Sequence, residues 1–137
     1  MKNLLLIGLM LTAFHFNAQN NPPIAVNDTF YVGFNDSLFI SQASGQIWGS
    51  YPSLLANDTE PNGDVMYLDT VLYNGTGQFS MTSHYNVNLK ISNLNYQPPL
   101  NFVGIDYFTY VIKDDGNPVM YDTARVYLKV KHEEYEH

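Results

Sequence analysis

The sequence predicts an all-β domain, an antiparallel β-sandwich of about seven to nine short strands. The 137-residue chain holds eleven tyrosines and eight phenylalanines, and aromatic side chains suit the half-buried surface of a pleated sheet. Short apolar runs alternate with turn signals rich in Gly, Pro, Asn and Asp, and no run shows the 3.6-residue period of a helix. A chain of this length is expected to form one domain.

The N-terminus has the features of a secretory signal peptide. Lys2 precedes an apolar run over residues 4–14, and Ala18 offers a small residue for cleavage. The run is too short to span about 30 Å of hydrocarbon, and no second one follows, so we expect no transmembrane segment. We predict a signal peptide at residues 1–18, the sandwich at residues 19–131 and an acidic frayed tail at residues 132–137. The product would be exported, to the periplasm, the outer membrane or the cell exterior.

The charge balance and the missing residue types exclude several functions. Thirteen acidic side chains oppose six basic ones, for a net charge of −7. This argues against nucleic acid as a partner, because that affinity comes from Lys and Arg on phosphates. The chain has no cysteine, which excludes disulfides and a cysteine nucleophile. No nucleophile-elbow, zinc-protease or P-loop motif occurs, so we expect no enzymatic activity.

The strands follow from alternation and turn chemistry. They are predicted at residues 24–32, 38–40, 65–73, 77–82, 87–91, 94–97, 106–113 and 120–130. Asn74-Gly75 and Asp115-Gly116 are tight-turn signals. Within residues 106–113, alternation places Phe108 and Tyr110 on one face and Tyr107 on the other. One of these two sets is therefore predicted to be core.

The loop over residues 57–64 is the strongest candidate for chemistry. Asp58, Glu60, Asn62 and Asp64 alternate there, in a segment that also holds one proline and one glycine. Ca²⁺ takes roughly six to eight oxygens from carboxylates, amides and backbone, and clustered carboxylates repel one another unless a cation lies between them. The loop predicts a calcium site. The alternative is an exposed acidic turn that bonds its own backbone; an EF-hand is disfavoured because no helix flanks the loop.

Four segments carry a distinctive combination of motifs. They are residues 21–28 (Asn-Pro-Pro-Ile-Ala-Val-Asn-Asp), residues 54–64 (Leu-Leu-Ala-Asn-Asp-Thr-Glu-Pro-Asn-Gly-Asp), residues 94–110 (Leu-Asn-Tyr-Gln-Pro-Pro-Leu-Asn-Phe-Val-Gly-Ile-Asp-Tyr-Phe-Thr-Tyr), and Asp114-Asp115-Gly116 with Thr123-Ala124-Arg125-Val126. In this order they resemble the bacterial Ig-like and cadherin-like tandem repeats of large adhesins. The chain departs from that pattern in carrying a single copy and an insertion at residues 41–51.

The resemblance implies an Ig-like sandwich with calcium-organised loops. The ligands it implies are Asp28, Asn57, Asp58, Glu60, Asn62 and Asp64, to which Asp106 and Asp114 are added as further candidates. Extracellular modules of this kind bind Ca²⁺ with a Kd of roughly 10⁻⁴–10⁻³ M.

A single copy suggests a subunit that docks on something else. We expect a protein partner in the cell envelope or outer membrane of a Gram-negative bacterium. Trp48 and Tyr51 are candidate contacts, because tryptophan and tyrosine are enriched at interface hot spots. Two alternatives remain open: a carbohydrate-binding module that uses Trp48 and edge tyrosines on a glycan, and a calcium-dependent self-associating adhesion or matrix protein.

Overall fold

The structure is a computed structural model that describes residues 18–41, 53–82 and 93–132. These ranges hold seven β-strands and no helix. The strands are, in chain order, β1 (Asp28–Gly33), β2 (Leu38–Ser41), β3 (Tyr67–Leu72), β4 (Gln78–Thr82), β5 (Asn93–Gln97), β6 (Gly104–Lys113) and β7 (Tyr121–Lys131). The predicted all-β sandwich is confirmed. Nothing in the described ranges has the length and apolar character of a membrane-crossing helix.

The strands form two sheets. One has four strands in the order β1-β7-β6-β3, and the other has three in the order β2-β5-β4. Every pairing is antiparallel except that of β1 with β7, which is parallel and joins the first strand to the last. A parallel neighbour leaves the period-two alternation of a strand unchanged, so no local pattern distinguishes this pairing from an antiparallel one.

The predicted strand ranges agree with the structure within two residues at each end for β2 to β7. The first strand was predicted from residue 24 but begins at Asp28. Before Asp28 the chain makes only an isolated bridge, between Ile24 and Thr59. The predicted strand at residues 87–91 lies outside the described residues.

The core lies between the two sheets and follows the predicted alternation. From β6, Phe108, Tyr110 and Ile112 are fully buried, whereas Tyr107 is half exposed. Phe108 and Tyr110 are therefore the core set. The inward residues of β7 are Ala124, Val126, Leu128 and Val130, and the opposing sheet supplies Ile40, Leu94 and Tyr96.

Strand polarity brings three loop segments to one end of the sandwich. The parallel register pairs Asp28 with Val126, so the chain that precedes β1 lies near the start of β7. The antiparallel register pairs Tyr67 with Lys113, so the chain that precedes β3 lies near the end of β6. The hairpin of residues 114–120 closes the same end. We call this the acidic end, because the segments before β1 and β3 and this hairpin contain most of the candidate carboxylates.

Candidate metal centre

Three carboxylates from two segments of the acidic end approach one another closely. One oxygen each from Glu60, Asp64 and Asp114 lies within 4.8 Å of the other two. Asp114 is 1% exposed, while Glu60 and Asp64 are partly exposed. The site therefore has a buried floor and an opening to solvent. Together these residues form the candidate metal centre.

Backbone hydrogen bonds hold the Glu60 side chain over its own loop. Its Oε2 accepts hydrogen bonds from the backbone N–H groups of Asn62 and Asp64, both at 2.7 Å. Gly63 lies between those donors with φ of +84°, a left-handed conformation that favours glycine. The other oxygen, Oε1, is buried and accepts no hydrogen bond within the described ranges. Glu60, one of the three carboxylates of the centre, therefore has a buried oxygen with no hydrogen-bond donor among the described residues.

Asn20 supplies a second buried oxygen of this kind. The residue is 7% exposed, and its Nδ2 donates to Asp114 Oδ2 at 2.9 Å and to the Pro118 carbonyl at 2.8 Å. Its Oδ1 is buried and has no donor among the residues the structure describes. Buried polar atoms in native proteins nearly always have a partner. A cation bound beside Asp114 is one kind of partner that would satisfy such an oxygen.

Gly116 permits the close approach of these groups. A Cβ at this position would lie 2.6 Å from Asp64 Oδ2 and would also contact the Asn20 side-chain amide. Both contacts would be much closer than ordinary van der Waals contact. A glycine in the 114–120 hairpin is therefore what allows Asn20, Asp64 and Asp114 to share one volume.

The electrostatics of the centre suit a cation. Partial burial raises the pKa of Asp64, and repulsion from Glu60, Asp114 and Asp115 raises it further. Burial would also raise the pKa of Asp114. Hydrogen bonds from the Met120 and Gly116 N–H groups and from the Asn20 amide outweigh that effect and hold it below its ordinary value. Asp114 thus stays ionised, and a cation between the carboxylates would relieve the repulsion on Asp64.

Asp28 and Asp58 form a separate pair. The Tyr110 hydroxyl lies 3.0 Å from both carboxylate oxygens of Asp58 and 3.0 Å from the Val26 carbonyl. The Val26 N–H donates to Asp58 Oδ1 at 2.8 Å. Burial, followed by repulsion from Asp58, raises the pKa of Asp28 to about 6. Burial also raises the pKa of Asp58, against the lowering effect of its hydrogen bonds from Val26 and Tyr110.

The two predicted asparagine ligands join the loop to the N-terminal segment. Asn57 donates through Nδ2 to the carbonyls of Val26 and Asn27, at 3.4 and 3.3 Å. Asn62 accepts the Asn21 N–H on Oδ1 at 2.8 Å. The Oδ1 of Asn62 is thus already engaged by a donor, so its amide acts here as a structural link between two segments.

Asp106 lies apart from the other candidates. It faces inward near the start of β6, where its Oδ2 accepts hydrogen bonds from the hydroxyls of Tyr73 at 2.7 Å and Tyr96 at 3.0 Å. Eight residues of extended chain, about 26 Å, separate it from Asp114. The structure therefore does not bring Asp106 to the metal centre. Trp48 and Tyr51, the predicted partner contacts, lie outside the described residues.

Asn20 is the residue that sequence reasoning missed. It precedes the Asn-Pro-Pro motif by one position and carries no charge, so nothing in the local pattern distinguishes it from a linker residue. Asp115 and Asp122 were also missed, and both serve the acidic end by accepting backbone N–H groups, from Val65 and Ala25 respectively, at 2.8 Å. The pairing of β1 with β7 brings Asn20 and Ala25 to the hairpin and the start of β7, and the pairing of β3 with β6 brings Val65 to Asp115.

The fold and the site define an Ig-like β-sandwich module with a cluster of carboxylates at its loop end. A family model described as the bacterial Ig domain matches residues 20–129. The chain therefore belongs to the bacterial Ig domain family, as the sequence motifs predicted. Domains of this family are typically non-catalytic modules, which favours a structural or binding role.

Comparison with other proteins adds a structural neighbour. It is a nucleoside hydrolase-related hypothetical protein from Saccharophagus degradans that is associated with carbohydrate metabolism, 18% identical, with a TM-score of 0.49. The match covers 83% of this chain and 26% of that one, so this chain spans about a quarter of its neighbour's length. No curated protein matches the chain.

Proposed function

We propose that the protein is an exported, non-enzymatic binding module whose acidic end is organised by Ca²⁺, and that it serves as an accessory subunit of a Gram-negative cell-envelope assembly. One observation carries the calcium part. The carboxylates of Glu60, Asp64 and Asp114 converge beside two buried oxygens, Asn20 Oδ1 and Glu60 Oε1, that accept no hydrogen bond within the described ranges.

The donor set suits calcium better than other common metals. Every candidate ligand is an oxygen, which favours a hard cation and disfavours zinc or copper. The carboxylates come from a loop and a hairpin rather than from a rigid frame, and Ca²⁺ tolerates irregular geometry where Mg²⁺ demands a near-ideal octahedron. Because Glu60 and Asp64 are partly exposed, water can complete the coordination shell.

A bound ion would join three segments that are distant in sequence. Asn20 belongs to the N-terminal segment, Glu60 and Asp64 to the acidic loop, and Asp114 to the β6–β7 hairpin. Linking them would stiffen the chain where it enters the sandwich, and would present the acidic end to a partner in one conformation. Such preorganisation raises affinity by reducing the entropy lost on binding.

Thermal melting in Ca²⁺ and in EDTA tests the calcium site. With a Kd in the range expected for extracellular modules, about 10 mM Ca²⁺ would add roughly 1–3 kcal/mol to the free energy of unfolding. We expect a Tm several degrees higher than in EDTA, and we expect Asp64→Asn to abolish the difference. The control is Asp36→Asn, an exposed carboxylate in the β1–β2 turn. Identical wild-type melting in both buffers would refute the site.

A second variant locates the ion. If Ca²⁺ lies among Glu60, Asp64 and Asp114, then Asp58→Asn keeps the calcium-dependent rise in Tm, because Asp58 is held by Tyr110 and Val26. If the ion instead bridges the loop and the Asp28–Asp58 pair, as the adhesin-repeat resemblance implies, the rise disappears. The two arrangements are thus separated by one measurement.

The envelope role rests on the predicted signal peptide and on membership of the bacterial Ig domain family. A pull-down of the tagged protein from its native envelope, with and without EDTA, tests it by mass spectrometry. We expect a stoichiometric envelope protein, released by EDTA if the acidic end is the docking surface. Recovery of the tagged chain alone under both conditions would contradict the accessory-subunit role.

A further inference from the structure

The outward face of the four-stranded sheet has a charge opposite to that of the rest of the molecule. Within the described ranges all the basic residues lie on this face, at outward positions of β6 and β7. They are Lys113, Arg125, Lys129 and Lys131. The chain as a whole has a net charge of −7. The outward residues of the other sheet include Gln78, Ser80, Asn95 and Gln97 and carry no charge.

Among the residues that the structure describes, three of these cations have no carboxylate partner. Lys113 pairs with Asp69 at 3.2 Å, but the described part of the chain provides no ion pair for Arg125, Lys129 or Lys131. They lie over tyrosine rings instead: Arg125 is 4.5 Å from the Tyr107 centroid, and Lys131 and Lys129 are 4.6 and 5.9 Å from that of Tyr31. Cation–π contacts position the charges without neutralising them.

The tyrosines beneath the cations are themselves accessible. Tyr31 is 60% exposed and Tyr107 is 50% exposed. The strand register places Lys129 between Tyr31 and Ile105, and Tyr127 beside Tyr107. Cations and rings are therefore interleaved across three adjacent strands, and the row from Arg125 to Lys131 extends about 20 Å along β7. We call this surface the basic tyrosine face.

We infer that the basic tyrosine face binds an anionic polysaccharide, a linear sugar polymer that carries carboxylate or sulfate groups. Its charges would complement the row of cations along β7. Sugar rings present flat C–H faces that pack against aromatic rings, and their hydroxyls can bond tyrosine hydroxyls. This goes beyond the proposed function and is independent of the metal centre, because the surface is a sheet face and uses none of the acidic-end residues.

The distribution of charge favours a polymer over an acidic protein surface. Protein interfaces keep an apolar centre with charges at the rim, and lysine is depleted from that centre. Here the cations form a row along β7, an inner strand of the sheet, and lie over exposed tyrosines of β1 and β6. An extended polyanion that follows β7 meets a cation at Arg125, Lys129 and Lys131 in turn, which matches the observed arrangement.

The test measures binding of the full chain to polygalacturonate, with dextran as the neutral sugar polymer and poly-L-glutamate as an acidic polypeptide. EDTA is present throughout, so that Ca²⁺ cannot bridge the polymer to the acidic end. We expect binding to polygalacturonate and none to dextran. Because each cation near an anionic surface contributes about 1 kcal/mol, K129Q with K131Q should weaken binding about tenfold or more.

A matched variant distinguishes the effect of the cations on this face from the effect of the net charge on binding. Q78E with Q97E changes the net charge by the same amount on the opposite sheet, and it should bind polygalacturonate like the wild type. Tyr31→Ala with Tyr107→Ala should weaken binding to polygalacturonate, although no charge is altered. All six positions are on strands, and circular dichroism and thermal melting check whether each variant remains folded.

Three outcomes overturn the inference. The first is no binding to polygalacturonate by the wild type. The second is equal weakening in the two charge variants, which would indicate overall charge rather than this face. The third is binding to poly-L-glutamate as tight as to polygalacturonate and insensitive to the tyrosine changes, which would assign the face to an acidic polypeptide.

Discussion

Asp28 shows how one side chain can lower stability at neutral pH. It is the first residue of β1, and it faces inward because it pairs with Val126, a core residue of β7. Its Oδ2 is buried and accepts no hydrogen bond within the described ranges, and the Asp58 carboxyl lies nearby. Ionisation of Asp28 therefore leaves a poorly solvated charge next to a second one, and protonation relieves both effects.

The stability of the calcium-free protein should accordingly depend on Asp28 and pH. Its pKa is about 6 in the folded protein, against an ordinary value of 3.8. The folded state holds the proton more tightly than the unfolded state, so the stabilisation is full below about pH 4 and is lost as the pH rises through about 6. Between these limits the free energy of unfolding of the wild type should fall by up to about 3 kcal/mol, and that of Asp28→Asn should not show this fall. Urea unfolding in EDTA at several pH values measures the difference.

Other carboxylates also make the free energy of unfolding depend on pH, and some of them stabilise the fold as the pH rises. Comparing the wild type with Asp28→Asn cancels these contributions. Asp114, for example, has a lowered pKa and loses its favourable hydrogen bonds as the pH falls. Asp36→Asn serves as the exposed control and should follow the wild-type curve. Parallel curves for Asp28→Asn and the wild type would show that the buried pair does not behave as described.

At the scale of one element, β6 has an aspartate near each end, and the two aspartates have different roles. Asp114 follows its last residue and belongs to the candidate metal centre. Asp106 near its start instead accepts the hydroxyls of Tyr73 and Tyr96, and the Tyr73 oxygen in turn accepts the Gly77 N–H at 2.7 Å. The same residue type is thus a candidate ligand at one end and a hydrogen-bond acceptor at the other.

This difference predicts how two substitutions respond to calcium. Asp106→Ala removes the shared acceptor of two hydroxyls, one of them on the fully buried Tyr96, and should destabilise the protein by about 1–3 kcal/mol. The loss should be the same in Ca²⁺ and in EDTA, since no ion is involved. Asp64→Asn should instead lower the free energy of unfolding only in Ca²⁺. Chemical denaturation of both variants in both buffers measures this, and a calcium-dependent loss in Asp106→Ala would return Asp106 to the ligand set.

At the scale of the whole molecule, the sandwich derives its stability from a core shared by the two sheets. Phe108 of β6 is fully buried and packs against Phe79 of β4, with ring centroids 5.1 Å apart. This contact connects one sheet to the other. The next residue back, Tyr107, faces solvent from the same strand, so two adjacent aromatic residues have unrelated structural roles.

We therefore expect opposite results for two neighbouring truncations. Phe108→Ala should lower the free energy of unfolding by about 3–5 kcal/mol, through lost burial and the cavity that remains. Tyr107→Ala should lower it by about 1 kcal/mol or less, while still weakening the polysaccharide binding proposed for the basic tyrosine face. Equilibrium denaturation compares them, and similar losses would show that the inward and outward faces of β6 have been misassigned.

Much of the fold could be predicted from local pattern. The bounds of β6 and β7 and the choice of Phe108 and Tyr110 over Tyr107 follow from alternation, because a strand shows one face to the core and one to solvent. The candidate site was predicted in part. Glu60, Asp64 and Asp114 were named, but Asp28 and Asp58 form a separate pair, Asp106 lies elsewhere, and Asn20 was missed.

By itself the sequence determined the class of fold, the family and the loop that carries the clustered carboxylates. These depend on signals within a few residues of one another: period-two alternation, turn residues and short motifs. Only the tertiary structure decided which carboxylates meet and where the basic residues collect. The parallel pairing of β1 with β7 seats Asn20 beside Asp114, and the order β1-β7-β6 places Tyr31, Lys129 and Ile105 side by side. Contacts between residues about a hundred positions apart depend on strand order and register, which no local pattern encodes.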